Sequence, residues 1–218
     1  MKQHLLIPII VALICAATPS SEAAVLVDLN ADFSDAAQGI NGLQYGNYVG
    51  SNAITGVFST TNWIPTGFSG WYGGEALSTP FQDATRMHPA VNTLQPAVRR
   101  YTIGAGGEPA YSGLVEIAGS FSHLDIGPTS GFITIDGVNV FNLPIPLGGP
   151  ALAFDIIVSV APGSTIDFGV NAGTSAISDM TAITATVSTT TVPEPSSLAL
   201  LLGGTAISTL FHRRRRNG

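Results

Sequence analysis

The chain has 218 residues, with 14 Asp plus Glu against 8 Lys plus Arg, a formal charge of −6, and only 10% charged residues. This balance excludes nucleic acid as a partner, because phosphate binding is driven by clustered Lys and Arg. One cysteine, Cys15, excludes a disulfide framework and a thiolate metal site.

From the N-terminus, Lys2 and His4 lead into an apolar run over residues 5–17, LLIPIIVALICAA, followed by the small residues Ser21 and Ala23. A basic flank, a short apolar stretch and small residues after it predict a secretory signal peptide over residues 1–23, read by Sec-type export machinery and cut between Ala23 and Ala24. As a helix the run reaches only about 20 Å, against about 30 Å of hydrocarbon core, which weighs against an anchor. Cys15 lies inside it and follows Ile14, too large a residue for lipoprotein processing.

VLVDL, from Val25, predicts a strand, whereas residues 38–56 are rich in Gly and Asn and predict long loops with short strands. TNWIPTGFSGWYGGEA, residues 61–76, sets Trp63, Phe68, Trp71 and Tyr72 among glycines. Aromatic faces stack on sugar rings while nearby amides and carboxylates take hydroxyl hydrogen bonds, which makes Trp63, Trp71 and Tyr72 candidate carbohydrate contacts. The alternative is that the tryptophans fill the core. AVRRYTI, residues 97–103, opens the more regular half. Arg99 and Arg100 are neighbours on that strand and point to opposite faces, so that one of them is placed to pair with a buried carboxylate.

Period-two alternation then dominates. Residues 113–121 put Val115, Ile117, Gly119 and Phe121 on one face. In FITIDGVNVF, residues 132–141, Asp136-Gly137 predicts a type I′ hairpin turn that sets Ile135 against Val138 and Ile133 against Val140, four apolar residues on one face. Phe154, Ile156, Val158 and Val160 repeat the pattern, as do Ile166, Phe168 and Val170 after the Pro162-Gly163 turn, and Ile183, Ala185 and Val187. Short alternating strands between turn signals predict an all-β fold, an antiparallel β-sandwich of jelly-roll type over residues 24–187, flanked by the signal helix and by a short C-terminal transmembrane helix.

No catalytic constellation emerges. His88 and His123 are too few for a metal centre and are expected on loops or the surface, and GAGGEP from Gly104 lacks the strand-to-helix setting of a phosphate loop. Carboxylates for glycoside hydrolysis could be drawn from Glu75, Asp83, Glu108 and Glu116, but their separation is not fixed by sequence. Asp28, Asp32 and Asp35 do not follow the EF-hand spacing.

Residues 188–192 read as an exposed linker, and residues 193–218 hold Pro-Glu-Pro, 16 uncharged residues from Ser196 to Phe211, and Arg213, Arg214, Arg215 and Arg216. Such a run rises about 24 Å as a helix, marginal for a bilayer, and the arginines are a stop-transfer signal that keeps this end cytoplasmic. Val192, Pro193, Glu194 and Pro195, the short apolar helix and the arginine cluster resemble the PEP-CTERM sorting signal of secreted bacterial proteins. The resemblance implies transient retention in the inner membrane, recognition by an exosortase-like transpeptidase, and release to the cell surface or an extracellular polysaccharide matrix. Without both signals the domain keeps three basic residues, Arg86, Arg99 and Arg100, against twelve acidic ones, a charge near −9.

MHPAVNTLQPAVRRYT, GLVEIAGSFSHL and APGSTIDFGVNAG, in that order, resemble the jelly-roll, carbohydrate-binding-like domains of secreted bacterial surface proteins. That resemblance implies polysaccharide as a candidate partner and a structural Ca²⁺ as a candidate cofactor. The reading is therefore an exported, non-catalytic surface or matrix protein. A secreted glycosidase or polysaccharide lyase, and a purely structural matrix protein, are the alternatives.

Overall fold

Fourteen strands and a single 3-10 turn, Ile40–Gly42, make up the regular structure among the described residues of the computed structural model, which describes residues 23–50, 53–61, 63–66, 70–73, 81–91, 93–174 and 177–190. The signal peptide, the sorting motif Val192 to Pro195 and the arginine cluster lie outside the described residues. Among the described residues there is no α-helix, and no helix is long and apolar enough to cross a membrane.

The strands are β1 (Val25–Asp28), β2 (Leu43–Tyr48), β3 (Phe58–Ser59), β4 (Trp63–Thr66), β5 (Gly70–Gly73), β6 (Phe81–Asp83), β7 (Arg86–His88), β8 (Ala97–Thr102), β9 (Gly113–His123), β10 (Thr129–Ile135), β11 (Val138–Pro144), β12 (Leu152–Val160), β13 (Thr165–Ala172) and β14 (Thr181–Thr189). Every pairing is antiparallel. An eight-stranded sheet runs β12-β9-β14-β7-β6-β5-β4, with β1 also on β14, and a six-stranded sheet runs β11-β10-β13-β8-β2-β3. From β7 onward the chain changes sheet at every connection except the β10–β11 hairpin. This gives two four-strand layers, β12-β9-β14-β7 and β11-β10-β13-β8, in the jelly-roll arrangement.

The alternating segments bury the faces their pattern predicts. Val115, Ile117, Phe121, Ile166, Phe168, Val170, Ile183, Ala185 and Val187 all join one core between the sheets. The hairpin is a partial exception. Asp136 (φ 49°) and Gly137 (φ 78°) form the expected turn and Ile135 faces Val138, but the register slips between Ile133 and Thr134, so that Ile133 faces Phe141 and not Val140. The slip delivers Phe141, a larger apolar side chain, to Phe121 and Phe154. Val138 and Val140, on an edge strand, remain exposed, so the expected four-residue apolar face reduces to Ile133 and Ile135.

The region expected to be mostly loop instead contains β2, a six-residue strand buried on both faces. Its inner residues Leu43 and Tyr45 enter the main core. On its outer side Tyr48 joins Val98 and Phe132 in a second cluster, roofed by Ala53, Ile54 and Phe58. With both faces covered, no hydrophobic alternation is needed there.

Two arginines define the two faces of β8. Arg100 points outward, its Nε and Nη2 donating at 2.7 Å each to the Asp167 carboxylate, which is the buried pairing expected for one of the two. Arg99 points inward, fully buried, and crosses the core to donate from Nη1 to Leu29 O (2.8 Å) and from Nη2 to Asp83 O (2.7 Å). Its guanidinium lies 5.4 Å from the Phe33 ring centre and 5.6 Å from that of Tyr45. Burial holds its pKa down at about 10, still well above neutrality. Arg99→Met would strand these carbonyls, at about 1–3 kcal/mol per unsatisfied group. The expected loss is about 3–5 kcal/mol in urea denaturation followed by far-UV circular dichroism, and an unchanged midpoint would contradict the tie.

Candidate functional site

The short strands β4 to β7 form one end of the eight-stranded sheet, and their register decides which aromatic side chains are available to a ligand. Trp71 and Tyr72 are consecutive on β5 and so project to opposite faces. Trp71 faces in, 3% exposed, stacked on Tyr45 at 5.6 Å and donating its indole N–H to Ser34 O at 2.8 Å. Trp63 is 6% exposed and donates to Asn47 Oδ1 at 3.0 Å. The two indoles therefore belong to the core, and burial leaves neither an open face for a sugar. This settles the alternative left by the sequence for Trp63 and Trp71 and corrects their grouping with Tyr72.

Tyr72 faces out and is 39% exposed. Cross-strand pairs align it with Ile64 on β4 and Phe81 on β6, and Phe81 with His88 on β7, giving one row, Ile64–Tyr72–Phe81–His88, across four strands. At about 4.8 Å per strand the row spans about 14 Å. The Tyr72 and Phe81 rings lie 4.9 Å apart at 50°, and the Arg86 guanidinium lies 5.6 Å from the Phe81 ring centre. Arg86 is fixed there by Asp83, which accepts from Arg86 Nε at 2.6 Å and from the backbone N–H groups of Thr85 and Arg86. Desolvation works against the Asp83 charge, but these donors outweigh it and hold the carboxyl below its usual range. Only the alternation of β5 could have pointed to this row from sequence, and Phe81 and His88, set in short irregular strands, carried no such signal.

The histidines lie at strand ends and not on open loops. His88 Nδ1 lies 2.6 Å from Pro89 O, and His123 Nε2 lies 3.0 Å from Thr129 Oγ1. The carboxylates considered for hydrolysis are not brought together. Asp83 is on β6 and Glu116 on β9, with β7 and β14 between them, so at least about 14 Å separates them across the sheet, beyond the roughly 5–9.5 Å used for glycoside cleavage. Glu108 is exposed in the loop after β8, and Glu75 lies outside the described residues. Asp28 is occupied locally, accepting from the N–H groups of Asn30 and Ala31. Among the described residues no group of three or more His, Cys, Asp and Glu side chains is disposed to hold a metal.

No family model matches this chain, and no curated relative does. Solved structures similar to it include a family 35 carbohydrate binding module from Clostridium thermocellum, at 10% identity and TM-score 0.34, covering 77% of this chain and 97% of that one. A family 29 carbohydrate binding module aligns at 12% identity and TM-score 0.32, over 67% and 88%. A ruminal GH26 endo-beta-1,4-mannanase aligns at 17% identity and TM-score 0.28, over 45% of this chain and 19% of the enzyme. At such values these likenesses bear on neither ligand nor activity.

The opposite placements of Trp71 and Tyr72 separate stability from surface chemistry. Trp71→Ala is expected to cost about 3–5 kcal/mol, as for a large buried aromatic. Tyr72→Ala should stay within about 1 kcal/mol of the parent in the same urea titration.

Proposed function

We propose that this protein is an exported, non-catalytic surface or extracellular-matrix component that binds neutral polysaccharide through the outward row Ile64–Tyr72–Phe81–His88. The observation that carries the reading is the exposed Tyr72 ring, continued by Phe81 and flanked by Ile64. An apolar, aromatic strip of about 14 Å on the outer face of the sheet suits stacking by an extended chain of sugar rings, while His88 and the Asp83–Arg86 pair provide polar groups beside it.

Charge favours a neutral ligand. Each of the three arginines of the domain is already engaged: Arg86 with Asp83, Arg99 in the core and Arg100 with Asp167. Against twelve acidic residues, none of them is left to attract a polyanion. Affinity electrophoresis of the purified chain through gels containing a neutral glucan or mannan should show retardation, reduced at least tenfold by Tyr72→Ala. Retardation by an anionic polysaccharide alone, or an unaffected Tyr72→Ala variant, would contradict the reading.

Export and sorting rest on the two terminal segments. The four arginines favour retention of the C-terminus in the cytoplasm, and Val192-Pro193-Glu194-Pro195 then sits at the outer side, within reach of an exosortase-like transpeptidase. Mass spectrometry of the surface-exposed protein should find no peptide ending at Gly218, and Glu194→Ala should accumulate uncut precursor in the inner membrane. An intact C-terminus on exported protein would restore a simple tail anchor.

A further inference from the structure

A sheet edge exposes unpaired N–H and C=O groups, and proteins keep such edges from pairing with other chains by short strands, proline, bulges or covering segments. Among the described residues the two sheets end on β3, β4, β11 and β12, with β1 beside β14. β3 has two residues, and β4 has four with Pro65 among them. β1 has four, and its register breaks between Val25 and Val27. β11 is interrupted by the slip opposite Ile133 and Thr134 and closes on Pro144. Of these edges β12 alone carries none of the devices. Its nine residues, LAFDIIVSV, pair with β9 in unbroken register from Leu152 to Val160, include no proline, and hold one charge, Asp155.

The core beside this edge is also incomplete. On β9, the next strand in, Val115, Ile117 and Phe121 are fully buried, whereas Leu152, Ile156 and Val158, which reach the same core from β12, are only partly buried. On the outer face Ile157 is 63% exposed. A strand added to β12 would satisfy the open backbone groups and cover these side chains together. Residues 137–164 hold no charge except Asp155, so nothing here selects a charged partner. With the domain near −9, two copies repel unless they meet along a charge-poor stretch such as this one. The edge is also complementary to itself. A two-fold axis at Ile156 sets Leu152 opposite Val160, Phe154 opposite Val158 and Asp155 opposite Ile157. In that register the inner apolar side chains meet one another, and the two Asp155 carboxylates stay on a diagonal, about 7–8 Å apart, instead of facing directly. Nine paired residues exchange about nine ladder bonds, near the number found in an ordinary interface. We propose that β12 pairs antiparallel with β12 of a second copy of this chain, joining two eight-stranded sheets edge to edge. Because the far edge, β4, is short and carries a proline, association closes at the dimer. The pairing rests on nothing in the polysaccharide reading.

Sedimentation equilibrium of the purified chain should show a reversible monomer–dimer equilibrium, the apparent mass approaching twice that of the monomer as concentration rises. Ile157→Glu sets a carboxylate against the second copy's Asp155 at two symmetric places and should raise the dimer dissociation constant at least tenfold. Ile157→Lys sets an ammonium there and should leave the constant unchanged or lower it. Association through apolar contact without this register would lose equally from either charge. Glu116, opposite Ile157 within the same chain, meets both substitutions in monomer and dimer alike. Ile157 is mostly exposed, so both variants should keep the circular dichroism spectrum of the parent. The terminal segments are common to all three chains, and a difference between them belongs to β12. A parent chain that stays monomeric at every concentration would overturn the proposal and leave the edge to a strand of another protein. Equal dissociation constants in all three chains, equal loss in both variants, or a mass that grows beyond two copies would overturn it as well.

Discussion

The guanidinium of Arg99 holds together three parts of the chain that have little else in common. It reaches from β8 in one sheet to Leu29 O just after β1 and to Asp83 O, with a longer 3.4 Å contact to Ala84 O, at the β6–β7 turn of the other. A fully buried arginine without a carboxylate partner would ordinarily be untenable. Here the carbonyl dipoles and the rings of Phe33 and Tyr45 replace the missing anion, and guanidinium is the side-chain cation least penalised by loss of water. A lysine could not span the same acceptors, because its ammonium is a compact point charge and lacks the planar fork.

The need for such a tie follows from the lengths of the strands around it. At the flank formed by β11 and β12, the strands next to the edge run seven to eleven residues, and Phe121, Phe141, Phe154 and Phe168 fill the space between the sheets by ring contact. At the other flank β3 to β7 are two to four residues long and make few ladder bonds. Polar side chains crossing between sheets compensate there: Gln82 donates to Gly46 O and Val98 O, Trp63 to Asn47, and Arg99 to the β6–β7 turn. The sandwich is thus an aromatic core at one side and a hydrogen-bonded one at the other. Tyr45, with Trp71 stacked on its ring and Gln38 bonding its backbone N–H and C=O, marks the second kind.

What could be read from sequence follows the same division. The long strands β9, β12 and β14 bury one face and leave the other wetter, so their period-two pattern is visible, and the β10–β11 turn was legible from Asp136-Gly137 alone. The slip that exchanges Val140 for Phe141 was not, because the gain comes from Phe121 and Phe154 in the opposite sheet. β2 was hidden for a different reason. Its glycine and asparagine look like loop, yet Gly46 is required where Phe58 and Ser59 lie directly over the backbone, and Asn47 is consumed by Trp63 and Gln95. The aromatic segment showed which residue types were present, but which of them faced water was decided by register.

The covering of β2 also bears on where a ligand can sit. The outer face of the six-stranded sheet is closed over Tyr48, Val98 and Phe132 by Ala53, Ile54 and Phe58, and Gly169 allows the Phe132 ring to lie flat on the strand beside it. Beneath that roof Arg100, Asp167, Tyr48 and Thr134 form one network, with Tyr48 OH and Thr134 Oγ1 2.7 Å apart and the Arg100 guanidinium 4.2 Å from the Phe58 ring centre. Burial, and then the neighbouring Asp167 charge, raise the Tyr48 phenol above its ordinary range, so it stays a neutral donor to that carboxylate. Aromatic groups on this side are spent on packing and their polar partners on one another. On the eight-stranded sheet, by contrast, the Tyr72 row has no comparable roof among the described residues, and Tyr72 remains exposed. The asymmetry between the two outer faces makes the row on β4 to β7 the surface best suited to a flat, uncharged ligand.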